Sequence, residues 1–208
     1  LYGIEEMKPY GVQDTWNYKK GERKLDSIAF NKMKEVMFPD DKRFFSFILT
    51  FSMHGFYKER EKVKEYYDKL DSLGILTDTS NINDEYLKTY LATTMDFDKA
   101  VGEMMNYLKE KNELDKTTII LYADHNTYYN KLSYYVKKIK EKYNTELFRL
   151  PLIIYDQKLS KAYKKDTGSL ELEKSVNAAD IVPTVLDIFG INGWKNLYLG
   201  KSICQTQI

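Results

Sequence analysis

The sequence predicts an α/β fold built on a largely parallel sheet with helices on both faces. Three observations carry that reading. Apolar runs rich in β-branched and aromatic residues stand at 44–53, 117–124 and 150–155. Segments of helical periodicity separate them, and the runs are apolar on both faces, as strands covered from both sides are.

The elements follow in order. Leu25, Ile28, Ala29, Met33, Val36 and Met37 recur at helical spacing after Asp26-Ser27, and Pro39-Asp40-Asp41 ends that helix. The run Phe44 to Met53 reads as the first strong strand and is closed by His54. An amphipathic helix begins near Tyr57, buries Val63, Tyr66, Tyr67 and Leu70, and is capped by Gly74. A loop with Asp78, Ser80 and Asn81 leads to the longest helix, from Asn83 or Asp84 to about Lys111, with a core stripe of Leu87, Leu91, Met95, Val101, Met104, Met105 and Leu108. Thr93 and Thr94 lie inside it, where hydroxyls commonly bond back to their own backbone.

The run Thr117 to Asp124 reads as the second strand and is closed by His125; a short helix around Asn130–Tyr143 and a third strand, Leu150 to Tyr155, come next. Residues 156–175 carry five lysines and little hydrophobicity, which predicts an exposed loop or hairpin. Finally, Asp180 caps a helix that holds Pro183 in its first turn and stops at Gly190. No repeat, low-complexity tract or linker interrupts the chain, so residues 1–208 are expected to form a single domain or part of a larger one.

Composition narrows the function classes. Lys and Arg (32) balance Asp and Glu (31), so the net charge points neither to nucleic acid nor to an anionic membrane surface. Cys204 is the only cysteine, which excludes an internal disulfide. No apolar stretch approaches the ~20 residues that cross a bilayer, and the first residues lack the shape of a signal peptide, so the chain itself is expected to be soluble. The run Lys137 to Lys142 reads as a solvated helix face rather than a polymer-binding patch. The abundant tyrosines read as compositional bias rather than a glycan cleft.

The chain has two histidines, His54 and His125, and each directly follows an apolar run. Open α/β sheets bind ligands beyond the carboxyl ends of their strands, so equivalent placement suggests one shared site. Asp124-His125 offers an oxygen and a nitrogen donor from a single turn, a pair suited to a divalent metal. The competing reading makes both histidines capping or core-edge groups of an unrelated α/β domain.

The segment Phe45 to Tyr57 with Ser52-Met53-His54, the run Leu121 to Asn126, Leu150-Pro151-Leu152-Ile153-Ile154, and Asp180 to Thr184 followed by Gly190-Ile191 stand in the order found in sulfatase-like enzymes. Tyr90 to Thr94 with Asp98 and Val101, and Leu199-Gly200-Lys201, add to the likeness. The chain most resembles lipoteichoic acid synthases and related phosphoglycerol transferases of the alkaline phosphatase superfamily. It departs from them in having Asn126-Thr127-Tyr128-Tyr129 after the second histidine and Gly55-Phe56-Tyr57 after the first.

The resemblance implies that Asp124 and His125 are metal ligands, with Mn2+ or Mg2+ expected and Zn2+ or Ca2+ as alternatives. It implies that His54 contacts phosphate or sulfate oxygens of the substrate. The family's threonine nucleophile and a further acidic ligand belong to sequence upstream of the matched segments. The chain is therefore expected to be the C-terminal portion of a catalytic domain whose N-terminal part is missing, an incomplete site that is inactive alone and binds metal weakly. The implied activity is a metal-dependent phosphoglycerol transferase or sulfatase-like hydrolase acting on a phosphodiester or sulfate ester of an anionic polymer or lipid headgroup. The alternative is a non-catalytic module that binds an anionic glycan or lipid headgroup. For the parent protein, the resemblance implies a membrane anchor and a catalytic domain at the extracellular face of the bacterial cell membrane.

Overall fold

The structure, a computed structural model, describes residues 25–40, 42–55, 57, 61–74, 84–127, 148–162, 174–191 and 198–204. Its elements are α1 (Asp26–Met37), α2 (Lys64–Leu73), α3 (Asp84–Glu110), β1 (Ile119–Tyr122), β2 (Leu152–Tyr155), α4 (Gln157–Ala162) and α5 (Ile181–Ile188). The expected helix at 130–143 lies outside the described residues.

The 27 residues of α3 make a rod about 40 Å long on which α1 and α2 pack. Asp26 meets Asp96, Asn31 meets Glu103 at 2.6 Å and Asp40 meets Lys111 at 2.5 Å, so α1 and α3 run parallel in near-constant register. Leu25, Val63, Tyr66, Tyr67, Leu70 and Ala92 fill the space where the start of α1, α2 and the middle of α3 meet. Phe30, Phe38, Met104 and Leu108 fill the other end of the α1/α3 pair. Gly74 closes α2 in the left-handed conformation (φ 62°), as the sequence predicts.

Asp96, in the middle of α3, is fully buried. The first turn of α1 has no side-chain cap of its own. Asp96 supplies one across the helix interface: its Oδ2 accepts from the amide of Asp26 at 2.9 Å, and its Oδ1 accepts from Ser27 Oγ at 2.6 Å. An anion at a helix start satisfies amides that lack intrahelical partners and complements the helix dipole. Asp96 Oδ2 also accepts from Ser52 Oγ at 2.5 Å, and Oδ1 from Tyr66 Oη at 3.2 Å. The carboxylate thus joins α1, α2, α3 and the chain at residue 52. Burial, together with the Asp96 charge, pushes the Tyr66 hydroxyl well above its ordinary value.

The sheet differs from the expectation. Among the described residues it has two strands, β1 and β2, and they pair antiparallel with Ile119 opposite Tyr155 and Tyr122 opposite Leu152. Runs apolar on both faces report that both faces are covered, and the one pair described, β1 with β2, is antiparallel; no parallel pair stands among the described residues. The run at 44–53 also forms no strand. It has no ladder partner among the described residues, and Phe45, Phe47 and Leu49 are 76%, 72% and 75% exposed, with Ile48 at 40%. At its start Phe44 packs on Phe38 and Ser46 donates to the carbonyl of Met37.

Two further details depart from the sequence reading. Residues 157–162, placed in an exposed loop, form α4, because the buried Asp156 accepts from the amide of Leu159 at 2.9 Å and from Thr118 Oγ1 at 2.5 Å, fixing the turn to β1. At α5, Asp180 caps by reaching backward rather than forward. Asn177 and Asp180 form a reciprocal capping box around a short 3-10 turn that runs into α5. The amides of Asn177 and Lys201 both donate to the Asp180 carboxylate, which holds its carboxyl below the ordinary value.

No helix among the described residues is long and apolar enough to cross a membrane.

Two predictions come from these contacts. A Cβ on Gly200 would lie 2.1 Å from the Ala179 carbonyl oxygen and 2.7 Å from the Asp180 nitrogen, both backbone atoms with little room to yield. Gly200→Ala is therefore expected to lower stability in urea unfolding by about 1–3 kcal/mol; an unchanged midpoint would show that this approach is not needed. The second concerns Asp26, whose carboxyl burial raises above its ordinary value of 3.8 despite hydrogen bonds from Phe51 and Ser52. The folded chain holds that proton more tightly than the unfolded chain, so the contribution is full below 3.8 and is lost as pH rises through the higher folded value. Wild type should accordingly lose stability relative to Asp26→Asn as pH increases across that window, and a pH-independent difference in denaturation midpoints contradicts this.

Candidate active site

Asp124 and His125 occupy the turn that leaves β1, where the strand's hydrogen bonding stops and the side chains are exposed. The amide of His125 donates to Asp124 Oδ1 at 2.9 Å, a local bond that folds the carboxylate back over the turn. His125 Nδ1 lies 2.7 Å from the Asn126 carbonyl oxygen, which favours the tautomer with hydrogen on Nδ1. In that tautomer Nε2 carries the lone pair, and it stands 3.6 Å from Asp124 Oδ2. One turn therefore presents a carboxylate oxygen and an imidazole nitrogen side by side, as the sequence suggests.

His54 stands at the end of the other apolar run. Its amide donates to the Phe51 carbonyl at 3.1 Å, its Nδ1 lies 2.6 Å from the Gly55 carbonyl oxygen, and its ring stacks on that of Phe51 with centroids 5.2 Å apart and planes 3° from parallel. The structure joins Asp124 to His125 directly, whereas the partners described for His54 belong to its own turn. Phe44 and Ile119, near the starts of the two runs, pack on the same cluster of Phe30, Phe38, Met104 and Leu108. The two runs thus leave from one place at the far end of the α1/α3 pair.

A carboxylate oxygen and an imidazole nitrogen are suitable donors for a divalent cation, but a closed ligand set needs more of them. Among the described residues no group of three or more His, Cys, Asp or Glu side chains converges. Asp124 and His125 therefore fit as part of a ligand set and not as the whole of one. Thr93 and Thr94 are excluded as reacting hydroxyls by geometry: both Oγ1 atoms donate to the Tyr90 carbonyl within α3, at 2.8 and 2.9 Å.

The residues that hold the His54 turn escaped the sequence reading. Asp26 accepts from the amides of Phe51 and Ser52, each at 2.8 Å, and Ser52 Oγ lies between Asp96 and the Asp26 amide. The available signal was polar rather than apolar. Thr89, Thr93, Asp96 and Ala100 recur at helical spacing on α3 and mark the face that is buried.

The sulfatase family profile matches residues 5–191. Among curated proteins, an N-acetylglucosamine-6-O-sulfatase of Bacteroides thetaiotaomicron is 34% identical over 107 residues, which cover 51% of this chain and 18% of that protein. The multifunctional alkaline phosphatase superfamily protein PehA of Trinickia caryophylli is 31% identical over 102 residues, covering 49% of this chain and 18% of that protein. The matched part is thus a minor share of either relative's length. No solved structure matches the chain. The family match implies an α/β fold of alkaline-phosphatase type, in keeping with the mixed helices and strands described above. With the Asp-His turn after an apolar strand and a profile match over most of its length, the chain belongs to the sulfatase family of the alkaline phosphatase superfamily.

Proposed function

We propose that the chain is the C-terminal portion of the catalytic domain of a metal-dependent hydrolase of sulfate esters, with the rest of the site supplied by sequence outside it. The observation that carries this reading is the Asp124-His125 turn, whose two donors lie side by side at the end of β1 in a chain of the sulfatase family. The open face of the run at 44–51 supports the incomplete-domain reading, because large apolar side chains in an extended segment are normally covered by neighbouring elements.

In this reading Asp124 and His125 bind the divalent metal that sulfatase-family enzymes generally use, with Mn2+ or Mg2+ favoured for oxygen-rich sites. The bound metal would supply charge neutralisation on the ester's non-bridging oxygens. His54 would donate a hydrogen bond to one of those oxygens, where an oriented donor stabilises charge that develops in transfer. The common origin of the two runs at one hydrophobic cluster supports bringing His54 and the Asp124-His125 turn to one crevice. Substrate is taken as an anionic sulfate ester, in line with the N-acetylglucosamine-6-O-sulfatase relative.

The test is release of inorganic sulfate from a sulfated sugar by the full-length protein that carries this chain. Asp124→Ala and His125→Ala are each expected to reduce turnover and metal content by at least the ~10–100-fold that follows loss of a ligand's supporting partner. His54→Ala should lower kcat by about 10²–10³-fold with metal content retained. Sulfate release that survives Asp124→Ala at full metal content would overturn the assignment. The isolated 208-residue chain, holding two of the donors, should show well below one equivalent of metal by elemental analysis.

A further inference from the structure

We propose that Asp26 and Asp96 are positioning residues for His54, setting where its imidazole stands through the turn at 51–54; this rests on the reading of His54 as the group that meets the ester oxygens. Neither acid was assigned a role by the family match, and neither has a basic partner in the hydrogen bonds that define its place.

The geometry is a relay of short fixed bonds. Asp96 is anchored in the middle of α3 and accepts from Ser52 Oγ at 2.5 Å. Ser52 Oγ in turn accepts from the Asp26 amide at 2.8 Å. Asp26 returns its carboxylate to the same turn, with Oδ1 on the Phe51 amide and Oδ2 on the Ser52 amide, each at 2.8 Å. Phe51 then references His54 twice, through its carbonyl to the His54 amide at 3.1 Å and through the stacked rings. Tyr57 Oη braces the other side of the turn by donating to the Met53 carbonyl at 2.7 Å.

Capping α1 alone does not account for this arrangement. The Asp26 amide at the helix start already donates to Asp96 Oδ2 and to Ser52 Oγ, and the Asp26 carboxylate itself bonds no amide of α1 in the hydrogen bonds described for it. Asp26 spends both of its oxygens on consecutive amides of the turn, a bidentate grip that an asparagine, with one acceptor oxygen, cannot reproduce. Two buried carboxylates are costly to desolvate, so their joint use on one turn marks that turn as held in place rather than merely connected.

The test uses the 208-residue chain and its two histidines, whose imidazole Cε1–H signals are separately assignable with His54→Gln. In Asp26→Asn and Ser52→Ala, the His54 signal is expected to shift while that of His125 stays in place. The Phe51 and Ser52 amides should exchange with solvent about tenfold faster in Asp26→Asn, as loss of a hydrogen bond to a charged group implies. Should Asp26→Asn not fold, Ser52→Ala removes one hydroxyl and carries the same comparison. The proposal is overturned if His54 and His125 shift together, which marks a general loosening, or if His54 stays unmoved in a folded variant. Neither readout depends on turnover, so a chain without sulfatase chemistry would still pass or fail this test on its own.

Discussion

A single carboxylate, buried in the middle of the longest helix, is the constraint around which the described structure is arranged. Asp96 has no solvent to stabilise its charge, and it is satisfied instead by hydroxyls of Ser27, Ser52 and Tyr66 and by the amide of Asp26. A buried charge that lost these donors would be strongly destabilising, so the donors must be present together. They come from the start of α1, from α2 and from the turn before His54. Satisfying one group therefore fixes the mutual placement of segments up to 70 residues apart in sequence.

The parallel packing of α1 on α3 has a topological consequence. The chain must travel back along α1 to bring Ser52 to the place where α1 begins, and the extended run at 44–51 is that return path. The turn bearing His54 is thereby delivered to the Asp96 end of the helix pair. From the opposite end, Ile119 opens β1 against the same cluster that holds Phe44. Two apolar runs thus start together, and each ends in a turn that carries one of the two histidines.

Much of this was legible in the sequence where the signal is local. Helical periodicity and glycine stops located α1, α3, α5 and the end of α2, whose start lies at Lys64 after a 3-10 turn rather than near Tyr57, and Gly74 and Gly190 both adopt the positive φ that makes glycine the natural terminator. The Asp124-His125 turn was legible because rare, chemically distinctive residues followed a strong apolar run. Pairing was not, since strand direction depends on partners remote in the chain, and the apolar character of 44–53 specified burial without specifying what covers it. The short helix at 157–162 was hidden because its cause, Asp156 gripping the Leu159 amide, lies in one buried residue rather than in periodicity. Asp96 was hidden for a related reason: a stripe traced through leucines and methionines passes over the polar residues that share the buried face.

The ribbon at 44–51 also bears on how such a polypeptide behaves in a test tube. Phe45, Phe47, Leu49 and Phe51 form an alternating greasy row, and the backbone beside them offers donors and acceptors that no ladder uses among the described residues. An uncovered apolar segment with unused backbone donors and acceptors is a template for edge-to-edge growth between molecules. Arg43 and the lysine before it sit at one end of the row and the Lys62 ammonium stands 6.0 Å from the Phe51 ring at the other, leaving Phe45, Phe47 and Leu49 between them without the charged gatekeepers that commonly blunt such edges. Precipitation at high concentration would then arise from this ribbon, with the helical body still intact.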